Sequence, residues 1–376
     1  MTPPVRSTKQ DRHADKTDLC YPLANMAGYR IIGSGRFVPG RPVTNSDLTR
    51  VMDTSDEWIR QRTGVVQRHF CAEGQGASDL AVEAARIALS DAGRSPSDID
   101  YVLFNTMTAD YVFPGPAPVI AKKLGCPQVP ALDLRTQCAA MLYAYQVADG
   151  LLRTGAARTV LIVGAEAHAG FMPWDDWDVL MNESDRQPSA EAWERATRHR
   201  GYAVIFGDGA GALVLERADD VAAGLLSIDL HSDGGYADQL VLRLGFRKRP
   251  FCSARSLAAE EQYPYMNGPE IFKHAVTKLP RSVRAACDKA GVGFGDIDWF
   301  IAHQANYRIN EAIRERLNIP ADRMPGNIDR YGNTSSATIP ILMDEMRHEG
   351  RLKSGQLVCL VALGAGLHWG SAIVRV

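Results

Sequence analysis

The chain repeats itself at an offset of 198 residues, and that repeat limits what it can fold into more sharply than any other feature. In the first half an amphipathic stretch from Asp79 to Ala92 has helical periodicity and ends at Gly93. Ser97-Asp98-Ile99-Asp100 then leads into the apolar run Tyr101 to Asn105. In the second half Phe272 to Ala290 reads as a helix ending at Gly291, and Gly295-Asp296-Ile297-Asp298 leads into Trp299 to Ala302. Gly93 and Gly291 are expected to be C′ caps, where a left-handed residue closes a helix. The apolar run Thr159 to Gly164 pairs in the same way with Leu357 to Leu363. Ala210 to Leu215 resembles Gly370 to Arg375 at a shorter offset. Near-continuous apolar strands alternating with helices are the pattern of βαβ units whose sheet is covered on both faces. Two such halves predict a pseudo-duplicated α/β architecture with its ligand cleft where strands end and helices begin.

Composition narrows the function. At 376 residues, with 45% hydrophobic and 23% charged positions, the chain is long enough for two or three folding units and a deep pocket. Forty-two Lys and Arg against 44 Asp and Glu leave a formal charge of -2, so no global field favours nucleic acid or an anionic membrane. Seven cysteines (Cys20, Cys71, Cys126, Cys138, Cys252, Cys287 and Cys359) are scattered, with no C-x-x-C pair, which argues for reduced thiols in a cytoplasmic setting. No run reaches 18 apolar residues, so no membrane span is expected, and residues 1–28 are read as a mobile arm rather than a signal peptide.

The chemistry is expected at strand ends. Val129 to Leu142 reads as a strand, a short turn that carries Cys138, then a helix rich in Ala, Leu and Tyr. A thiol at a helix N-terminus is expected to have a lowered pKa. The matching strand end in the second half carries His303, within His303-Gln304-Ala305-Asn306, and the turn Tyr331 to Ala337 offers the Asn333 amide. Together they could form a nucleophile with orienting and stabilising partners. Gly207-Asp208-Gly209-Ala210-Gly211 is followed by a strand-like run rather than a helix, which excludes a dinucleotide fingerprint and leaves close backbone packing as its reading. The remaining histidines show no paired ligand spacing, and Asp175, Asp176 and Asp178 lack a calcium-loop pattern, so no metal is expected.

The run Thr54-Ser55-Asp56-Glu57-Trp58-Ile59, then Arg62-Thr63-Gly64, with His303 to Asn306, Gly332-Asn333-Thr334-Ser335 and Gly207 to Ala212, closely resembles β-ketoacyl-acyl-carrier-protein synthase III over roughly residues 29–376. The resemblance implies a thiolase-like fold, five-layered αβαβα, in a homodimer. It divides the chain into an arm at 1–28, an N-terminal half at 29–215 with an insertion near 167–199, and a C-terminal half at 216–376. It implies that Cys138 takes an acyl group from acyl-CoA or an acyl carrier protein. A carrier-bound malonyl- or β-ketoacyl-type thioester then condenses with it, as in fatty-acid or polyketide-type biosynthesis, while His303 and Asn333 stabilise the enolate. Backbone N–H groups of Cys138 and Ala365 would form the oxyanion hole. Ala365 stands where the family usually has Gly and can serve if its φ stays negative. Trp58, Arg62 and Arg200 match coenzyme A contacts, Phe113 a gating position that reaches the partner's acyl pocket, and Lys273 and Arg308 carrier-protein contacts. No permanently bound cofactor is implied. Two further readings stay open: acyl transfer from Cys138 to a hydroxyl or amine, and an inactive partner subunit.

Two departures from the family pattern bear on substrate. Between Glu166 and Arg200 the chain is about twenty residues longer than a housekeeping member. Phe171, Met172, Trp174, Trp177, Met181 and Trp193 there could roof an enlarged pocket or form a dimer or surface contact. Pro269 replaces an Asn that contacts substrate and offers no donor. Both point to an acyl donor other than acetyl in specialised metabolism.

Overall fold

The computed structural model describes residues 27–126 and 128–376. The arm expected at 1–28 lies outside the described residues except for Ala27 and Gly28, and Gly28 already opens the first strand. The principal strands are β1 (Gly28–Phe37), β2 (Tyr101–Asn105), β3 (Ala131–Leu134), β4 (Thr159–Glu166), β5 (Gly209–Ala218), β6 (Gly224–Ser232), β7 (Trp299–Ala302), β8 (Leu357–Gly364) and β9 (His368–Arg375). The principal helices are α1 (Asp56–Thr63), α2 (Ala77–Asp91), α3 (Ala117–Leu124), α4 (Ala140–Thr154), α5 (Ala190–Ala203), α6 (Gly268–Ala290), α7 (Tyr307–Leu317) and α8 (Thr338–His348).

The repeat is built into the hydrogen bonding. One sheet runs β1-β5-β4-β2-β3 and the other β7-β8-β9-β6, so four strands of each sheet follow the same order and only β3 has no counterpart. Tyr101 pairs with Val160 in parallel and Trp299 with Val358, the same register 198 residues later. The repeated Asp-Ile-Asp has a mechanical role. Asp98 and Asp296 cap the short turns that precede the strands, while Asp100 and Asp298 each accept the first backbone N–H of the neighbouring strand, from Thr159 at 2.9 Å and from Leu357 at 2.8 Å. Gly93 (φ +60°) and Gly291 (φ +67°) close their helices in the left-handed conformation, as expected. The offset shortens after β4 and β8 because residues 167–208 separate β4 from β5, whereas a turn of three residues joins β8 to β9.

Five layers result. The middle layer is α4 and α8, whose Leu142, Tyr145, Leu152, Leu342, Met343 and Met346 fill a core shared by both sheets. Helices α2 and α3 cover the outer face of the first sheet, and α6 and α7 cover that of the second. The central strands β4 and β8 are buried along their whole length, which is why they read as continuous apolar runs. The expected boundary at 215/216 falls inside β5, which continues to Ala218; the chain crosses between the halves at residues 219–223. Because the middle layer is common to both halves, neither half has a complete core alone.

Candidate active site

Cys138 sits beyond β3 in a tight turn, Gln137–Ala139, that feeds α4. Gln137 holds φ +51°, a left-handed conformation unusual for a side chain of its size, and this sharp turn brings Cys138 to the top of the middle layer. Cys138 is buried, and its Sγ lies 3.3 Å from Ser335 Oγ, contributed by a residue 197 positions away. The lowered pKa expected from a helix N-terminus is not what the surroundings give. Burial pushes the Cys138 thiol up to about 12, and the Glu166 carboxylate adds to the rise. The Ser335 hydroxyl and Cys138's own N–H pull the other way and are outweighed, because a thiolate loses more hydration here than two dipoles return.

His303 follows β7, held by its N–H on the Val361 carbonyl at 2.8 Å. Its Nδ1 lies 2.7 Å from Thr338 Oγ1, while its Nε2 is buried with no partner among the described residues. Burial pushes the imidazole down to about 3, so it is neutral through the physiological range. Asn333 is fixed from both sides of its peptide. Its N–H bonds the Ile205 carbonyl at 2.9 Å, and its carbonyl accepts from Gly207 at 3.2 Å. Its Oδ1 accepts the Ser335 N–H at 2.8 Å, which leaves the Nδ2 donors for the cavity. Ser335 reaches back in this way because it adopts φ +48°. The same turn is tied to the first half by Glu166 at the end of β4. Glu166 accepts Ser336 Oγ at 2.7 Å on one oxygen, and Thr108 Oγ1 at 2.7 Å and Thr106 Oγ1 at 3.1 Å on the other.

Cys138, His303 and Asn333 all line one cavity of about 1050 Å³, at the large end for a small-molecule site. The Gly364-Ala365-Gly366 turn lines it too, and a Cβ on Gly364 would lie 2.8 Å from the Cys138 nitrogen, so this turn abuts the nucleophile's backbone directly. Ala365 is not among the residues with positive φ, so the departure from Gly costs no strain. Gly207 also bears out its packing role, since a Cβ there would meet the Tyr331 carbonyl at 2.4 Å.

At the mouth, the Arg62 guanidinium lies 4.4 Å and that of Arg200 4.9 Å from the centre of the Trp58 ring. Arg200 is held there by the carbonyl and carboxylate of Asp53. Arg308 lines the cavity beside Phe272, whereas Lys273 is outside it, exposed and paired with Glu270 at 3.2 Å. Phe113 is absent from the cavity of its own chain. It is 77% exposed in a loop whose Tyr111 and Val112 are also exposed. Pro269 lines the cavity in the first turn of α6, where its missing N–H has no helical partner to lose.

The long segment does not roof the pocket. Only Phe171 lines the cavity; Met172 and Trp174 are buried with Phe70, Leu48 and Val51 in a separate core, and Trp177 and Met181 pack against it. The apolar wall comes instead from Leu240, Val241, Leu242, Leu244 and Met266, in the stretch between β6 and α6. Sequence reasoning missed that wall. It also missed Ser335, Thr338 and Glu166. A carboxylate closing the otherwise apolar Thr159 to Ala165, and hydroxyls two and five positions after Asn333, were the available signals. Among the described residues no group of three or more His, Cys, Asp or Glu side chains could hold a metal ion, and six cysteines are free thiols. No described helix is long and apolar enough to cross a membrane.

A family model for 3-oxoacyl-(acyl-carrier-protein) synthase III matches residues 132–186 and 189–234, and the model for the C-terminal part of that enzyme matches 287–376. The chain is 41% identical to a β-ketoacyl-(acyl-carrier-protein) synthase III from Cereibacter sphaeroides over 91% of this chain and 97% of that protein. The crystal structure of the synthase III from Thermus thermophilus superposes with a TM-score of 0.79 at 36% identity, covering 92% of this chain and 98% of that one. The priming β-ketosynthase of the R1128 polyketide pathway superposes equally well, with a TM-score of 0.79 at 26% identity, covering 93% and 97%.

Proposed function

The chain belongs to the β-ketoacyl-acyl-carrier-protein synthase III family of condensing enzymes, and on that premise we propose that Cys138, His303 and Asn333 carry its chemistry. In the first half-reaction Cys138 Sγ attacks the carbonyl of an acyl-CoA. The new Sγ–C bond replaces the bond to coenzyme A, and the thiol proton leaves with the coenzyme's sulfur. The N–H groups of Cys138 and Ala365 receive the negative charge that develops on the thioester oxygen. In the second half-reaction a malonyl-type thioester on a carrier protein loses carbon dioxide, and the electron pair of the broken C–C bond becomes an enolate. His303 and Asn333 donate to the enolate oxygen, its carbon attacks the acyl-Cys138 carbonyl, and Sγ departs from the β-ketoacyl thioester.

The observation that carries this reading is the convergence of a thiol, a neutral imidazole and an amide on one cavity with a largely apolar wall. Desolvated donors act most strongly on a developing oxyanion. Trp58, Arg62 and Arg200 form an aromatic and cationic mouth suited to the nucleotide of coenzyme A, and the basic side chains of Arg308 on α7 and of the exposed Lys273 on α6 suit an acidic carrier. The exposed Tyr111, Val112 and Phe113 support a homodimer in which a second copy covers this loop. Reduced cysteines fit a cytoplasmic setting. Intact-protein mass spectrometry after incubation with acetyl-, longer and branched acyl-CoAs, with Cys138→Ala as control, tests the proposal. A donor-specific adduct lost in the variant supports it, and absence of any adduct on folded protein refutes it.

A further inference from the structure

We propose that Thr338 is a positioning residue that holds His303 in the tautomer able to donate from Nε2, and that its hydroxyl acts in condensation but not in acyl loading. The inference rests on the condensation reading above. Thr338 opens α8, and its Oγ1 lies 2.7 Å from His303 Nδ1 and 3.1 Å from the Ser335 carbonyl oxygen. A hydroxyl has one hydrogen to give. If it goes to Ser335, Nδ1 must carry the ring proton and donate to Oγ1, and Nε2 presents a bare lone pair to the cavity. If it goes to Nδ1, the ring proton sits on Nε2.

The environment separates the two arrangements. The Ser335 carbonyl already accepts the Thr338 backbone N–H, so it is not orphaned when the hydroxyl turns away. Nδ1 has no other partner among the described residues, and its contact to the hydroxyl is the shorter of the two. The ring is neutral, so one proton is all it has, and its location decides whether Nε2 attracts or repels an oxyanion. Asn333 is oriented by the same turn, because the Ser335 N–H claims Oδ1 and leaves Nδ2 as donor. One segment from Asn333 to Thr338 thereby aims two neutral donors, an amide N–H and an imidazole N–H, at one cavity. An enolate oxygen needs both; attack of Cys138 on a thioester, served by backbone N–H groups, needs neither.

The test uses full-length protein in three forms: wild type, Thr338→Val, which keeps the shape and removes the hydroxyl, and Thr338→Ser, which keeps the hydroxyl. Acyl loading of Cys138 is read by rapid-quench mass spectrometry. Decarboxylation of a malonyl-carrier thioester is read by carbon dioxide release. The tautomer is read from the nitrogen shifts of His303 in ¹⁵N-histidine protein, assigned with His303→Gln. The expected result is a bare Nδ1 and protonated Nε2 in wild type. Thr338→Val should lose about tenfold or more in decarboxylation with loading within about twofold, and Thr338→Ser should be restored. A wild-type spectrum with the proton on Nδ1 overturns the proposal. So does a Val variant that decarboxylates normally, or one that loses both steps equally, which is the signature of a structural role. Failure of wild-type Cys138 to load any acyl group would instead refute the underlying reading.

Discussion

Replacing Glu166 by Gln should destabilise the protein while making Cys138 more reactive, two effects that a generic packing defect would not combine. Glu166 is fully buried at the end of β4 and accepts six hydrogen bonds. Four reach one oxygen, from Thr106 Oγ1, Met107 N, Thr108 N and Thr108 Oγ1. Two reach the other, from Ser336 N at 3.4 Å and Ser336 Oγ at 2.7 Å. A glutamine fits the same space but has one acceptor oxygen, which the four donors on the first side will claim. Its amide nitrogen then faces Ser336. The Ser336 hydroxyl can turn its hydrogen to the Asn105 carbonyl at 2.9 Å and accept, but the Ser336 N–H loses its acceptor. An orphaned buried N–H costs about 1–3 kcal/mol, and four charge-assisted bonds fall to neutral strength. Removing a buried charge recovers part of this, leaving about 3 kcal/mol of net destabilisation. Urea unfolding followed by tryptophan fluorescence at fixed protein concentration reads that loss. The second effect follows from charge alone. The Glu166 carboxylate raises the Cys138 thiol, so its removal lowers that pKa and increases the thiolate fraction at a given pH. Iodoacetamide alkylation of Cys138 at pH 8 should therefore be faster in the variant. Stability within about 0.5 kcal/mol of wild type, or slower alkylation in folded protein, would refute the reasoning.

Two further outcomes follow from the site. Gly364→Ala sets a Cβ 2.8 Å from the Cys138 nitrogen, 2.9 Å from the Ala139 nitrogen and 2.9 Å from the Thr136 oxygen, all backbone atoms that cannot rotate aside. It should cost about 1–3 kcal/mol of stability and, by displacing the Cys138 N–H, about 100-fold in acyl-loading rate with little change in KM, measured by stopped-flow with acyl-CoA. His303, held down to about 3 in the folded state, binds a proton more readily when unfolded, so the stability it contributes is present above pH 6.5 and lost as pH falls toward 3. Between pH 7 and pH 5 the wild type should lose about 2 kcal/mol more than His303→Gln in denaturant titrations; parallel pH profiles would contradict the burial of a neutral ring.

Local pattern made much of the fold legible. The strands β2 and β7 have the bounds read from their apolar runs, because a strand buried on both faces must be apolar throughout. Gly93 and Gly291 marked their helix ends because few other residues take a left-handed φ without strain. The long segment after Glu166 misled for the opposite reason. Trp, Met and Phe signal burial but not against what, and here they close a second small core beside Phe70 rather than the cavity. The wall of Leu240, Val241, Leu242 and Leu244 was equally unreadable, since two short irregular strands carry no periodicity that points to a pocket.

The sequence by itself determined the duplicated layers and nominated a thiol, an imidazole and an amide, because the period of apolar positions and the residue types at strand ends are local properties. Tertiary structure alone decided what those groups are chemically. The thiol is raised rather than lowered because burial and the Glu166 carboxylate outweigh two nearby dipoles, and the imidazole is neutral because it is sealed from water. The partners of both come from a turn in the second half, Asn333 to Thr338, that the first half holds through Ile205, Gly207 and Glu166. Desolvation and hydrogen bonds between residues nearly 200 positions apart depend on how the halves close on one another.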